Sequence, residues 1–381
     1  MRRIFVIFLA LCLTVPLGIS AGAAELEVAG KSAVLLDGAT GTVLYEKNAH
    51  EPLAPASVTK VMTMLLIMEA IDSGKIGWND TVTASETAAA KGGSQVYLKV
   101  GETMSVSDMV KSIAVSSAND CACAMAEHLA GSEQAFVAQM NARAKELGME
   151  HTHFVNCTGL DDDPEAAQHL TCAYDIALMS RQLLTMHPDI KKFTTIWMDT
   201  IRDGSFGLAN TNKLVRFYQG ATGLKTGFTA KAGYCLSASA QREGMELIAV
   251  VMGAETSKDR FAACKQLLDY GFANYALVSP EVPEATVPVK LGAQAQVGVV
   301  PGRQVQLLVD KAQRGDVTVQ LQLEESLTAP VSQGQRLGTL TVRSGAQILE
   351  QVPLVAAEAV PRLTWWQLFG RVLRQIVMGK E

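Results

Sequence analysis

The amino-acid sequence predicts a mixed α/β (α+β) domain, then a second, small all-β domain, then a C-terminal amphipathic helix. Three observations support this order. Up to residue 274, apolar residues recur at helical spacing in several segments, with strand patterns at both ends of that stretch. At Ser279-Pro280 the composition shifts, and short alternating runs replace the helix patterns. From Leu363 onward helical spacing returns, with the apolar side chains on one face.

At 381 residues the chain is long enough for two domains, and 48% hydrophobic against 19% charged residues suits a globular core. The net charge of −5, more negative without Arg2 and Arg3, excludes a basic nucleic-acid binder. Residues 1–23 read as a signal peptide. Arg2-Arg3 form a positive start, residues 4–17 an apolar run, and Ala21-Gly22-Ala23 a small-residue cleavage site. That run is short for a spanning helix. Cys12 follows Leu11 inside the apolar run, which argues against a lipoprotein site. The remaining cysteines (Cys121, Cys123, Cys157, Cys172, Cys235, Cys264) show no paired Cys-x-x-Cys spacing, so zinc is not indicated. Cys121 and Cys123 read as small core residues on one helix, and the sequence assigns no disulfide.

Residues 32–46 read as a β-hairpin turning at Asp37-Gly38. Pro55-Ala56-Ser57-Val58-Thr59-Lys60 then opens a long apolar run, which predicts Ser57 in the first turn of a buried helix ending near Asp72-Ser73-Gly74. Positions three apart share a helix face, so the Lys60 amine lies beside the Ser57 hydroxyl. A helix start adds a positive field and free backbone N–H groups. The segment thus offers a nucleophile, an amine to take its proton, and donors for an oxyanion. Taken alone, Ser-x-x-Lys equally describes a capped structural helix.

Residues 75–100, broken by Gly92-Gly93, read as loop and short strand. Residues 105–130 read as helical, interrupted by Ser117-Ala118-Asn119. Either these polar residues cap an interhelical turn, or both side chains face a cleft. Residues 134–147 form a further amphipathic helix ended by Gly148. His151-Thr152-His153 has no partner at metal-site spacing and reads as exposed loop. Thr171 is placed to cap a helix running to about Leu184, with Asp175 in its first turns. Gly220 to Gly227 leads into strands at 233–240 and 245–253, joined at Glu243-Gly244. Lys225-Thr226-Gly227 on the entering strand presents a cation, a hydroxyl and an unobstructed backbone. An amphipathic helix follows at 260–274, with Phe261, Cys264, Leu267 and Leu268 on one side.

Residues 282–356 carry strand runs beginning at Ala285, Gln304, Val317 and Thr339, separated by turns such as Arg314-Gly315-Asp316 and Gln333-Gly334-Gln335. They hold no cluster of catalytic residue types and read as a spacer or interaction module. In the tail, Leu363, Trp365, Trp366, Leu368, Phe369, Val372, Leu373, Ile376 and Val377 cover one face. Gln367, Arg371, Arg374 and Gln375 cover the other. Paired tryptophans, cations at Arg362, Arg371, Arg374 and Lys380, and no acidic residue before Glu381 suit a helix lying in a membrane interface. It is too short and polar to span. The alternative is a helix docked on its own domain.

Each motif alone says little, but their joint order says more. Ser57-x-x-Lys60, then Ser117-x-Asn119, then Lys225-Thr226-Gly227 is the succession shared by β-lactamases and penicillin-binding proteins. The sequence resembles more specifically the low-molecular-mass penicillin-binding proteins that are serine-type D-alanyl-D-alanine carboxypeptidases. The resemblance runs from about Leu26 to the C-terminus and includes Ser117-Ala118-Asn119-Asp120 and Lys231-Ala232-Gly233-Tyr234. It implies a penicillin-recognising, transpeptidase/β-lactamase-like catalytic domain at 24–277, whose antiparallel sheet carries packed helices, then the all-β domain at 278–359 and the anchoring helix at 360–381.

Carried over by that resemblance, Ser57 attacks the terminal D-alanyl-D-alanine bond of a peptidoglycan stem peptide and Lys60 is the general base. Ser117 and Asn119 relay protons and hold the peptide backbone, and Lys225 supplies positive charge. Thr226 and Gly227 line the docking strand. Backbone N–H groups of Ser57 and Phe228 form the oxyanion hole, and Arg260 recognises the substrate's terminal carboxylate. Arg260 by itself also reads as a solvated residue at a helix start. No metal or cofactor is expected. The implied partners are the stem peptide, β-lactam antibiotics as covalent inhibitors and a membrane surface, which place the protein on the outer face of the cytoplasmic membrane. Ala118 stands where such relatives often have glycine, and Phe228 where some carry histidine. A class A β-lactamase, an endopeptidase cutting cross-links and a non-catalytic wall-binding relative are the alternatives. The second domain and the tail speak against the first, and the intact trio against the last.

Overall fold

The sheet that organises the catalytic domain is assembled from both ends of its sequence. In the computed structural model, which describes residues 26–162 and 164–378 (374–378 by backbone), the strand order is Val43–Lys47, Ser32–Asp37, Met245–Ala254, Gly233–Arg242, Ala221–Thr229, antiparallel throughout. The expected signal peptide lies outside the described residues. Every residue of Ser32–Asp37 is buried, and nearly all of Met245–Ala254. Covered on both faces, these strands read as unbroken apolar runs without alternation. Helix Ser257–Asn274 packs Ala263, Leu267 and Leu268 on one face, against Leu35, Leu236 and Leu247. The other face carries the helical cluster, centred on helix Lys60–Asp72. That helix is buried on almost every side from Lys60 to Ala70, so it shows an apolar run without a polar face.

The predicted break between helices is real. Helix Val106–Ser116 ends in Ser117 at φ +64°, and helix Asn119–Ala130 starts two residues later. The left-handed residue turns the chain sharply enough for the second helix to pack back on the first. Neither expected side-chain cap forms there: Ala118 holds the N-cap position. Helix Glu133–Glu146 follows, capped by the Ser132 hydroxyl.

Two local expectations need correction. The helix Ala173–Met186 is capped by Cys172, whose Sγ accepts from Asp175 N–H at 3.4 Å, and not by Thr171. The Thr171 backbone pairs with Leu53 instead, and its hydroxyl bonds Thr152 at 2.7 Å. Residues 75–100 contain, besides the strand Thr81–Thr83, a short helix Glu86–Ala89 capped by Ser85. A hairpin at Met198–Ile201 and Phe206–Ala209 carries no alternation in sequence, since most of its residues are exposed or half-buried.

The second domain is all-β, with strand order Val317–Leu323, Arg336–Ser344, Gln347–Ala356, Gln296–Pro301, Ala285–Lys290, Leu327–Thr328. Leu307–Asp310 leaves that sheet and pairs with Tyr275–Val278, directly after the last catalytic-domain helix. Strands Gln296–Pro301 and Gln347–Ala356 were not legible, because Gly298 and Pro353 interrupt their patterns. The C-terminal helix Trp365–Met378 leaves Trp365 66% and Trp366 76% exposed, with Phe369, Val372 and Leu373 about half exposed. The described side chains of this helix are not packed as a docked helix would require. Among the described residues no helix is long and apolar enough to cross a membrane.

Candidate active site

Ser57 sits in a tight 3-10 turn, Ala56–Thr59, immediately before the helix that begins at Lys60. The expectation of a first α-helical turn is thus corrected to a 3-10 turn, with the same consequence for the Ser57 and Lys60 side chains. Lys60 Nζ donates to Ser57 Oγ at 2.9 Å and to the Thr158 carbonyl at 2.8 Å. Lys60 is completely buried. Loss of water disfavours its charged form and pulls its pKa from 10.5 to about 7, against weaker opposing effects of Cys157 and Asp120.

The turn is held from behind by residues that carry no recognisable motif. Asn156 Oδ1 accepts the N–H groups of Thr158 and Gly159 at 3.2 and 2.7 Å, shaping the loop that offers its carbonyl to Lys60. Gly159 lies at φ +81°, and a Cβ there would stand 1.8 Å from the Ala56 carbonyl oxygen, so only glycine fits. His169 completes the support. Its Nδ1 accepts from Val155 N–H, so Nε2 is the protonated nitrogen and donates to Thr59 Oγ1 at 2.8 Å. The Thr59 hydroxyl in turn donates to Ala56 O. Burial lowers the His169 pKa to about 4, with the charges of His153 and Lys231 acting the same way.

Asn119 Nδ2 donates to Gly92 O and its backbone N–H to Ser94 O, both at 2.7 Å. Its Oδ1 is buried without a hydrogen-bond partner, an acceptor left open for a ligand N–H. Ser117 is 3% exposed.

Lys225, Thr226 and Gly227 lie on the edge strand Ala221–Thr229, facing the Ser57 turn. A Cβ on Gly227 would stand 2.7 Å from Pro55 O and 3.0 Å from both Ser57 N and Val58 N. Glycine is what lets this strand reach the Ser57 turn. Thr226 Oγ1 donates to Thr211 Oγ1 at 2.7 Å. Lys225 is buried and donates to Thr226 O. Burial, then the charges of Lys60 and Arg260, push its pKa well down. Two ammonium groups in one dry site repel, so ionisation of one favours the neutral form of the other.

Phe228 is 54% exposed and stacks on Tyr234 at 4.2 Å. Arg260 is not the solvated residue its isolated sequence context allows. It is buried, donates from Nη1 to Gly227 O and Cys235 O at 2.8 and 3.2 Å, and lies over the Tyr234 and Phe261 rings. Its Nε has no partner. Nothing in the sequence marked Asn156, Thr158, Gly159, His169 or Thr211, whose contacts to backbone groups and to the Thr59 and Thr226 hydroxyls arise only on folding. A cavity of about 740 Å³ bordering the site touches Gly92, Glu133, Thr158 and Asp162 but not Ser57. Among the described residues no group of acidic, His and Cys side chains could hold a metal ion.

A serine bonded to a buried amine of low pKa, with glycine-backed donors beside it, is equipped for acyl transfer. Residues 19–256 match the D-alanyl-D-alanine carboxypeptidase family. The chain belongs to that family. Residues 272–362 match the penicillin-binding protein 5 C-terminal domain, so both parts of the D-alanyl-D-alanine carboxypeptidase architecture are present. The D-alanyl-D-alanine carboxypeptidase DacF of Bacillus subtilis (strain 168) is 45% identical over 341 residues, 88% of this chain and 86% of the relative. Penicillin-binding protein 5 from Haemophilus influenzae superposes with a TM-score of 0.76 at 29% identity, covering 90% of this chain and all of that one. Penicillin-binding protein D2 from Listeria monocytogenes, solved in an ampicillin-bound form, gives 0.59 at 33% identity, covering 65% of this chain and 99% of that one. The fold and the serine-type carboxypeptidase activity expected from the family resemblance both hold.

Proposed function

We propose that this carboxypeptidase removes the terminal D-alanine from peptidoglycan stem pentapeptides through an acyl-enzyme on Ser57. The Lys60–Ser57 hydrogen bond in a dry site, with the amine pKa near 7, is the observation that carries this reading. Neutral Lys60 takes the Ser57 proton as Oγ bonds the carbonyl carbon of the penultimate D-alanine. The oxyanion is held by the Ser57 and Phe228 N–H groups, which the close approach of Gly227 supports. The C–N bond then breaks. Lys60 hands that proton through Ser117 to the departing D-alanine amine and is neutral again, and a protonated Lys225 offsets the negative charge. Asn119 Oδ1 accepts an N–H of the peptide. Thr226 and Gly227 align the chain, and Arg260 receives its terminal carboxylate. Water hydrolyses the ester and restores Ser57.

The same chemistry makes β-lactams covalent inhibitors, because their ring amide acylates Ser57 without releasing a leaving fragment. Intact-mass measurement after incubation with benzylpenicillin tests the reading. One adduct per chain is expected, lost in Ser57→Ala, and labelling of that variant would sink the assignment.

We further propose export through the signal peptide at residues 1–23, with the protein held at the outer face of the cytoplasmic membrane by its C-terminal helix. The exposed Trp365, Trp366 and Phe369 support this reading, since they present apolar area that no part of the described chain covers.

A further inference from the structure

Tyr97 is a bulky side chain in a conformation that favours glycine. Its φ is +59°, and 67% of it is exposed, so packing does not account for an aromatic ring there. The conformation is imposed from both sides. Buried Asp120, next to Asn119, accepts Val96 N–H and Leu98 N–H, each at 3.0 Å, and also Cys121 N–H at 2.9 Å. Arg202 donates to Val96 O at 2.8 Å and to Tyr97 O at 3.3 Å, while its Nε bonds Glu102. The buried flanking side chains of Val96 and Leu98 anchor the segment in the helical cluster. Three residues upstream, Ser94 O accepts the Asn119 backbone N–H, which ties this segment to the Asn119 side of the site. The ring of Tyr97 lies 6.4 Å from that of Phe206, over which the Arg202 guanidinium sits at 5.2 Å.

A strained backbone kept in place by a buried carboxylate and a guanidinium, with its aromatic ring left to solvent, is structure spent on what the ring touches. We propose that Tyr97 is a specificity-determining contact of this enzyme, its ring packing against the side chain of the residue that precedes D-alanyl-D-alanine. Asp120 and Arg202 are its positioning residues. The proposal rests on the stem-peptide reading above. An aromatic face suits the aliphatic part of such a side chain and would serve the acyl side chain of a penicillin equally.

The test is release of D-alanine from a stem pentapeptide and from N-acetyl-D-alanyl-D-alanine, which lacks the preceding residue. In Tyr97→Ala and Tyr97→Gly the ratio of kcat/KM for the longer to the shorter substrate should fall roughly fivefold, through KM, and Tyr97→Phe should restore it. Tyr97→Gly should also melt no lower than the parent, because glycine relieves the left-handed conformation. An unchanged ratio would overturn the proposal. So would a lower melting temperature in Tyr97→Gly with equal losses on both substrates, which is the mark of a merely structural role. If the unsubstituted protein releases no D-alanine from either, the stem-peptide reading falls and takes this one with it.

Discussion

Lys60 Nζ donates to Ser57 Oγ, but it can act as base only once it has lost a proton and carries a free lone pair. Burial brings that exchange to about pH 7. The rate of benzylpenicillin acylation should therefore rise as pH rises through about 7 and level off above it. Lys60→Arg, whose guanidinium keeps its proton, should lower that rate at least about 100-fold. A flat pH profile would contradict the assignment. Gly227 supports the same chemistry by absence. Gly227→Ala forces a methyl to within 2.7 Å of Pro55 O, which must shift the strand or the Ser57 turn. A displacement of that kind should cost roughly 100-fold in acylation, measured by stopped-flow labelling. Ser57, Lys60, Ser117, Asn119 and Lys225 were readable in sequence because the chemistry restricts their side chains. Asn156, Thr158 and His169 were not, because they work through backbone carbonyls and N–H groups whose geometry only folding creates.

The elements show where pattern reading holds and where it gives way. Amphipathic helices such as Glu133–Glu146 follow from spacing and a capping serine. The Cys172 cap was missed, because a thiol is a weak acceptor and Thr171 is the better capper in isolation. Tertiary pairing of Thr171 with Leu53 decided the matter. The loop 156–160 is likewise an element of the site without a pattern. Gly159→Ala places a methyl against Ala56 O at positive φ, and should lower stability by about 2 kcal/mol or more, seen as a lower urea midpoint with an unchanged slope. For the C-terminal helix, removal of residues 360–381 should release the mature protein from sedimenting anionic lipid vesicles. Equal sedimentation of both forms would end the anchor proposal.

At the scale of the whole molecule, burial of basic groups couples stability to pH. His169 binds its proton near 4 when folded and near its ordinary 6.5 when unfolded. Between those values the unfolded chain holds more protons, so this contribution is full above pH 6.5 and is lost as pH falls toward 4. The urea midpoint should drop between pH 7 and pH 4.5, and drop less in His169→Gln. The sequence by itself determined the domain order, the succession of the Ser57, Ser117 and Lys225 motifs and the amphipathic tail. Those features rest on local periodicity or on residue types that the reaction demands. Only the tertiary structure decided that Arg260 is buried against Gly227 and that the described tail side chains Trp365, Trp366 and Phe369 are exposed. It also decided that Ser57 stands in a 3-10 turn propped by His169 and Gly159, through Thr59 and Ala56. The Thr59–His169 contact joins residues 110 apart and the Arg260–Gly227 contact residues 33 apart, and no local pattern encodes which distant backbone will close on a buried side chain.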